Sequence, residues 1–367
     1  MLEKAANFLK NCNPDETIVV YHKGCGDGIA ASAILGKFFK KTKGNVPKKF
    51  LAIGYDEDFA MFVKKILSQS IKNVIFADLS LDKFPDLLLE LAKKFKILIL
   101  DHHTLVNDMN KHGILHIHPD FISKIQSAKY CGAKLTYDVC SKAENMDYAN
   151  WLAAVGIIHD VGSAEWKSFI DEVYAKFPEL KSGYDIYGFD SKLGELVSLI
   201  SASKVGVAKE IRTINLCINT ENPIDILEMK SDLAKELKYW KEKMDKEINN
   251  YAQNWKSLAQ IFEDIKFAIL EIKTKLPISS SVSTVISLKN PDYIFCIYKL
   301  KGRVVDISFR AQSVRVNCAT LARESTKNFE YGSGGGHPPA AGARVLKRDF
   351  NRYKRLLPGL VRKLIKT

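Results

Sequence analysis

The sequence predicts an α/β protein in which a parallel sheet with flanking helices is followed by a connector helix and a smaller α/β domain. Three observations carry this prediction. Over the first ~160 residues, short β-branched apolar runs alternate with helical patterns, the order that parallel strands joined by crossover helices require. A charged amphipathic helix pattern then runs from Ser231 to Trp255, and strand-like runs return after it.

Taken in order, the first runs are Thr17-Ile18-Val19-Val20-Tyr21, Asn73-Val74-Ile75-Phe76-Ala77 and Lys96-Ile97-Leu98-Ile99-Leu100. Each is too uniformly apolar to face water on either side, as expected of strands covered on both faces. Each is followed at once by polar residues: His22 to Asp27, Asp78, and Asp101-His102-His103. Open α/β sheets bind ligands at the carboxyl ends of their strands, so these three sets are expected to converge on one edge. In the amphipathic stretch, Leu233, Leu237, Trp240, Met244, Ile248, Tyr251 and Trp255 fall at three- and four-residue steps and form one apolar stripe. Only about three heptads fit there, which favours a connector over a dimerising coiled coil. Beyond it lie Phe267–Ile272, Tyr293–Tyr298 and Val304–Phe309, then a glycine-rich segment and a basic helical tail from Phe350 to Lys366. The expected divisions are 1–225, a connector over 226–260, and 261–367. No internal repeat is visible.

Composition narrows the function classes. With 367 residues, 46% hydrophobic and 26% charged, the chain is neither disordered nor collagen-like. It lacks an apolar run near the ~18–20 residues of a membrane span, and its N-terminus lacks a signal-peptide pattern, so no membrane association and a cytoplasmic location are expected. The seven cysteines form no Cys-x-x-Cys pair, which argues against a disulfide framework or zinc ribbon and fits a reducing compartment. Net charge is +13, and residues 301–367 hold 15 basic against 4 acidic side chains. A field this lopsided attracts polyanions such as nucleic acid, with a solvated basic surface as the bland alternative.

The residues after the strands supply oxygen and nitrogen ligands: His22, Asp27, Asp78, Asp101, His102 and His103, joined by Asp160 in Gly156-Ile157-Ile158-His159-Asp160-Val161-Gly162. Taken singly, a strand-terminal Asp is a helix cap and a lone His a hydrogen-bonded core or surface residue. Taken together they suit Mn²⁺ or a similar divalent ion. So many carboxylates at short range force protonation unless compensated, and two dications ~3.5–4 Å apart would compensate them while stabilising a phosphoryl displacement. A second constellation is Gly332 to Ala343. Its glycines are expected to bring backbone N–H groups close to an anion, and the small residues after them to open a helix whose N-terminus favours phosphate; a flexible linker is the alternative. Arg310 and Arg344 would add charge-assisted phosphate contacts or serve as plain surface charges.

Asp101-His102-His103 resembles the motif that gives the DHH phosphoesterase superfamily its name. The Gly-Gly-Gly-His-Pro-Pro-Ala-Ala-Gly stretch from Gly334 to Gly342 resembles the signature of its DHHA1 substrate-binding domain. The resemblance covers nearly the whole chain: motif I at His22 to Ser32, motif II at Asp78, motif III at Asp101 to His103, motif IV at Asp160, then the C-terminal domain. Ile200-Ser201-Ala202-Ser203 and the connector helix are similar to archaeal RecJ-like nucleases. The resemblance implies a two-metal phosphoesterase, usually dependent on Mn²⁺, with Mg²⁺ as the alternative and Zn²⁺ behind both, acting on single-stranded ends or short oligonucleotides in a cleft between its domains. It implies that His22 and Asp78 hold one ion, and Asp27, Asp78, His102 and Asp160 the other. Asp101 would orient its histidine, and His103 would sit near the scissile phosphate as the catalytic group. Gly334, Gly335, Gly336 and His337, with Arg310 and Arg344, would grip the substrate backbone. One departure stands out: motif I usually carries two aspartates, and here Cys25 occupies the place of a metal-binding carboxylate, where a thiolate would ligate with a softer preference.

The leading expectation is therefore a metal-dependent exonuclease or phosphodiesterase acting on single-stranded DNA or RNA, because the concentrated basic charge favours a polyanion over a mononucleotide. Two alternatives stand beside it. One is a phosphatase or phosphodiesterase for small substrates such as 3′-phosphoadenosine 5′-phosphate or dinucleotides. The other is a non-catalytic RecJ-like scaffold with a replication or repair protein as partner, a reading that Cys25 raises and the retained carboxylates oppose. No base-reading code is visible, so sequence-specific recognition is not expected. Oligomeric state is left open.

Overall fold

A computed structural model describes residues 1–367 except 55, 56, 184–187, 314, 366 and 367. The chain forms two units, Met1–Lys241 and Glu242–Thr367.

In the first unit α1 (Leu2–Asn11) leads into β1 (Thr17–His22), α2 (Gly26–Lys43), β2 (Lys49–Ile53), α3 (Phe59–Leu67), β3 (Asn73–Ala77), α4 (Pro85–Ala92), β4 (Lys96–Leu100) and β5 (Leu115–Ile117). The five strands form one sheet in the order β2-β1-β3-β4-β5, with every neighbouring pair parallel. The three apolar runs are the three central strands, which explains their lack of alternation: both faces are covered. Alternate side chains Ile18, Val20, Val74, Phe76, Ile97 and Ile99 meet Phe62 and Ile66 of α3 and Leu88 and Leu91 of α4. Register is what positions the site. Ala77 pairs with Tyr21 on one side and Leu100 on the other, so the next residues, His22, Asp78 and Asp101, stand side by side at the sheet's carboxyl edge.

Six helices follow: α5 (Gly132–Ala143), α6 (Asn150–His159), α7 (Lys167–Lys176), α8 (Lys192–Ser201), α9 (Val207–Asn219) and α10 (Ile224–Leu227). α2 is packed by α5, α6 and α9, which is why it is buried from Gly26 to Phe39. α11 (Asp232–Leu258) carries the chain into the second unit and accounts for most of the expected connector, and the division between units falls within it.

The second unit contains β6 (Gln260–Phe262), β7 (Phe267–Glu271), α12 (Ser279–Lys289), β8 (Ile294–Lys301), β9 (Val304–Arg310), α13 (Cys318–Thr326), β10 (Ser333–His337), β11 (Ala340–Leu346) and α14 (Phe350–Ile365). Its six-stranded sheet runs β10-β11-β9-β8-β7-β6 and is antiparallel except for β7 with β8. Phe267, Cys296, Val305 and Phe309 on the strands pack with Leu321 of α13 and Tyr353 and Leu357 of α14. The basic tail is helical to Ile365; Lys366 lies outside the described residues.

One expectation is overturned here. The small residues after the glycine run open no helix: Ser333–His337 and Ala340–Leu346 are paired strands, with Gly335 opposite Gly342. The physical reason is close packing. A Cβ on Gly334 would stand 2.3 Å from the Ala322 carbonyl oxygen of α13, so at this position the strand lies directly against helix backbone and leaves no room for a side chain. Among the described residues no helix is long and apolar enough to cross a membrane.

Candidate functional site

The carboxyl edge of the first sheet gathers the sequence-predicted ligands of that unit. Asp27, in the first turn of α2, is fully buried, and its carboxylate accepts the amide N–H groups of Gly132 at 2.6 Å and Ala133 at 2.8 Å. Those amides are orphan donors of the α5 N-terminus, so the helix is completed by a residue of another segment. Residue 132 must be small because a Cβ there would meet Asp27 Oδ2 at 2.9 Å and Asp78 Cβ at 3.0 Å.

Asp78 stands at the centre with a left-handed backbone, φ +58°. His102 Nδ1 faces the Ser127 carbonyl at 3.2 Å, an acceptor only, so this nitrogen carries a proton. Its Nε2 is thereby aimed at three carboxylates: Asp78 Oδ1 at 3.3 Å, Asp160 Oδ2 at 3.4 Å and Asp27 Oδ2 at 3.8 Å. His103 Nδ1 lies 2.7 Å from Asp101 Oδ1, and the His22 and His103 rings stand edge to face with centroids 6.1 Å apart.

Two groups of potential ligand atoms result, each within 4.8 Å: His22, Asp78 and His103; and Asp27, Asp78 and His102. Asp78 belongs to both. His103, expected at the scissile phosphate, thus lies in the first group, and Asp160 borders the second through His102. Cys25, the residue preceding α2, is in neither.

The electrostatics show what this cluster lacks. Burial, then Asp160 and Asp78, push the Asp27 carboxyl up to about 7. Burial opposes charge on His102, yet Asp78 and Asp160 outweigh it and hold the imidazole well above its usual value. Burial likewise opposes charge on Asp78, but the imidazoles of His102 and His22 outweigh it and keep that carboxyl well below the carboxylate range. Burial and the carboxylates of Asp78, Asp160 and Asp27 push the Cys25 thiol far up, so it is neutral here. The cluster draws protons because its negative charge is uncompensated, and a dication supplies that compensation without them. Asp78 Oδ2 is buried with no hydrogen-bond partner among the described residues, and His22 Nδ1 is 3.6 Å away. A buried carboxylate oxygen in that state, between imidazole and carboxylate donors, fits a divalent cation.

In the second unit, Arg310, Ala340 and His337 occupy one row across β9, β11 and β10. The Arg310 guanidinium donates to the Phe309 carbonyl at 2.9 Å and to Ser280 Oγ, at the start of α12, at 3.3 Å. Gly336, at φ +142° and with 2.6 Å between a notional Cβ and the Ala340 carbonyl oxygen, is a position only glycine fills. Arg344 is turned to Asp306 on β9, Nε to Oδ1 2.6 Å.

Several site residues carry no sequence signal. His159 Nε2 accepts the Gly26 N–H at 3.2 Å while its Nδ1 lies 3.0 Å from Asp160 Oδ1, tying the start of α2 to the end of α6. Glu210 and His118 hold the loops after β1 and β4. Neither a lone histidine nor a lone glutamate in a helix pattern announces a partner this far away in the chain.

In sequence the chain matches no protein-family model and no curated protein. In structure it matches RecJ from Thermus thermophilus in complex with Mn²⁺, with a TM-score of 0.74 and 17% identity over 99% of this chain and 55% of that one. The fold is that of RecJ. It is also similar to exonuclease RecJ bound to manganese, with a TM-score of 0.68 and 18% identity over 98% of this chain and 94% of that one. The DHH domain of a member of the S1p family of ribosomal proteins gives a TM-score of 0.70 and 15% identity over 99% and 90% of the two chains. The chain thus spans about half the length of the Thermus RecJ.

Proposed function

We propose that this chain is a metal-dependent phosphoesterase that hydrolyses single-stranded DNA or RNA, or short oligonucleotides. The observation that carries the reading is Asp78, shared by two groups of ligand atoms, with its buried Oδ2 making no hydrogen bond among the described residues. His22, Asp78 and His103 would hold one divalent ion and Asp27, Asp78 and His102 the other, with Asp160 beside the second. Bound ions there would supply an activated water and neutralise charge developing on the phosphate. The mixed oxygen and imidazole donor set suits Mn²⁺ or a similar divalent ion better than a soft metal, and Cys25, whose thiolate would add softness, is in neither group. RecJ, whose fold the chain shares, is described with manganese bound.

Within this reading Asp101 orients His103, and the row of Arg310 and His337 with the glycine strand contacts the phosphate backbone. The basic excess of residues 301–367 supports a polyanionic substrate. The test is an Mn²⁺-dependent assay on labelled single strands of DNA and RNA and on dinucleotides, with Asp78→Asn as the control. Faster turnover of long strands supports the reading, turnover of dinucleotides alone favours the small-substrate enzyme, and no product above Asp78→Asn points to the scaffold.

A further inference from the structure

We infer that His118 is a positioning residue of this site, whose Nε2–H holds the main-chain carbonyl of His103 and so sets where the His103 imidazole is presented to His22 and Asp78. The inference rests on the metal-centre reading above.

His118 follows β5 and is fully buried. Its Nε2 lies 2.6 Å from the carbonyl oxygen of His103, and its Nδ1 lies 3.2 Å from the amide N–H of Asp120. A carbonyl only accepts, so Nε2 carries a proton and donates it to His103, while Nδ1 faces the Asp120 N–H and, at 3.6 Å, the Asp120 carboxylate. The rings of His116 and Phe121 pack edge-on against His118 at 5.9 and 5.7 Å.

The turn that carries Asp101, His102 and His103 is gripped at every point. The Asp101 N–H reaches the Ile117 carbonyl at 3.2 Å, the His102 ring reaches Ser127, and the Val106 and Asn107 amides are bound by the buried Asp82 carboxylate. The His103 ring is oriented by Asp101. The carbonyl of His103 is one point at which its main chain is held, and His118 supplies the donor there. A ring oriented by Asp101 on a main chain less firmly held would shift relative to Asp78, and metal ligands lose affinity when the groups orienting them are removed.

Two replacements separate this role from a merely structural one. In His118→Asn the amide oxygen stands where Nδ1 accepts, so the Asp120 contact is kept, but the side chain is too short to reach His103. In His118→Gln the terminal NH₂ regains the reach to the His103 carbonyl. Mn²⁺ titration of the full-length proteins, followed by the electron paramagnetic resonance of free Mn²⁺, is expected to give ~10–100-fold weaker binding for His118→Asn and near-wild-type binding for His118→Gln. Melting in the presence of a chelator should show both variants folded, with His118→Asn the less stable because it leaves the His103 carbonyl without this donor. Wild-type affinity in His118→Asn, or equal weakening in both variants, overturns the proposal while leaving the metal-centre reading intact. Failure of the wild type itself to bind Mn²⁺ overturns that reading and this proposal with it. In the wild type, a nitrogen-15 spectrum showing no proton on His118 Nε2 would also overturn it.

Discussion

Glu210 Oε1 accepts the amide N–H of Gly24 at 2.8 Å, and its Oε2 the Tyr21 hydroxyl at 3.1 Å, so a carboxylate on α9 holds the turn between β1 and α2 on which His22 and Asp27 depend. Both donors lie at a site where Glu210 is 1% exposed. Glu210→Ala leaves two donors without their acceptor and is expected to lower unfolding free energy by about 2–4 kcal/mol. Glu210→Gln, which keeps an acceptor for Gly24, should lose less than half of that. Urea denaturation of both variants checks the order, and equal losses would contradict it.

Asp160 ends α6, and the residue after it is strained. The Val161 N–H reaches the Ile158 carbonyl at 3.1 Å and the Gly162 N–H the Ile157 carbonyl at 2.8 Å, the two bonds of a Schellman cap, with Val161 at φ +58° where glycine is the usual occupant. A left-handed conformation costs an ordinary residue about 1–2 kcal/mol, and a β-branched one is an outlier there. Val161→Gly is therefore expected to leave the melting temperature unchanged or raise it, despite removing a side chain. A clear fall would show that the strain is not stored as described.

His116, fully buried on β5, has neither ring nitrogen hydrogen-bonded among the described residues, and burial lowers its pKa from the usual value. Below the unfolded-state value of ~6.5 the unfolded chain binds the proton that the folded chain refuses, so this contribution to stability is whole above that pH and is lost as pH falls toward the lower folded value. His116→Leu should shrink the loss of melting temperature between pH about 7.5 and about 5.5. An unchanged difference would remove His116 as a cause.

Gly334 separates packing from ligand binding in the glycine strand. Gly334→Ala forces a Cβ against the Ala322 carbonyl and is expected to destabilise the second unit by about 1–3 kcal/mol with no ligand present, as overpacking does. Denaturation in ligand-free buffer tests this, and a fully stable variant would return the glycines to a purely ligand-facing role.

That strand also marks where the sequence stops being legible. β3 and β4 begin and end where their apolar runs do, because both faces of a central strand must be apolar and nothing else competes for that pattern. The sheet's edge strands leave a weaker trace: β2, Lys49–Ile53, is half exposed, and β5 has three residues. In β10 the glycines read as a loop because a helix backbone pressed against a strand is a tertiary fact that composition does not encode. The same holds at the site. Asp78 and Asp101 were visible because strand ends converge by topology, whereas Glu210, His159 and His118 act through partners chosen only when the chain folds.

The central claim is a pair of cation sites sharing Asp78, and equilibrium Mn²⁺ binding tests it most directly. Two ions per chain are predicted for the wild type, one for Asp27→Asn, which touches only the second group, and none held tightly by Asp78→Asn. An Asp78→Asn protein that binds as many ions as the wild type, with the same affinity, would contradict it.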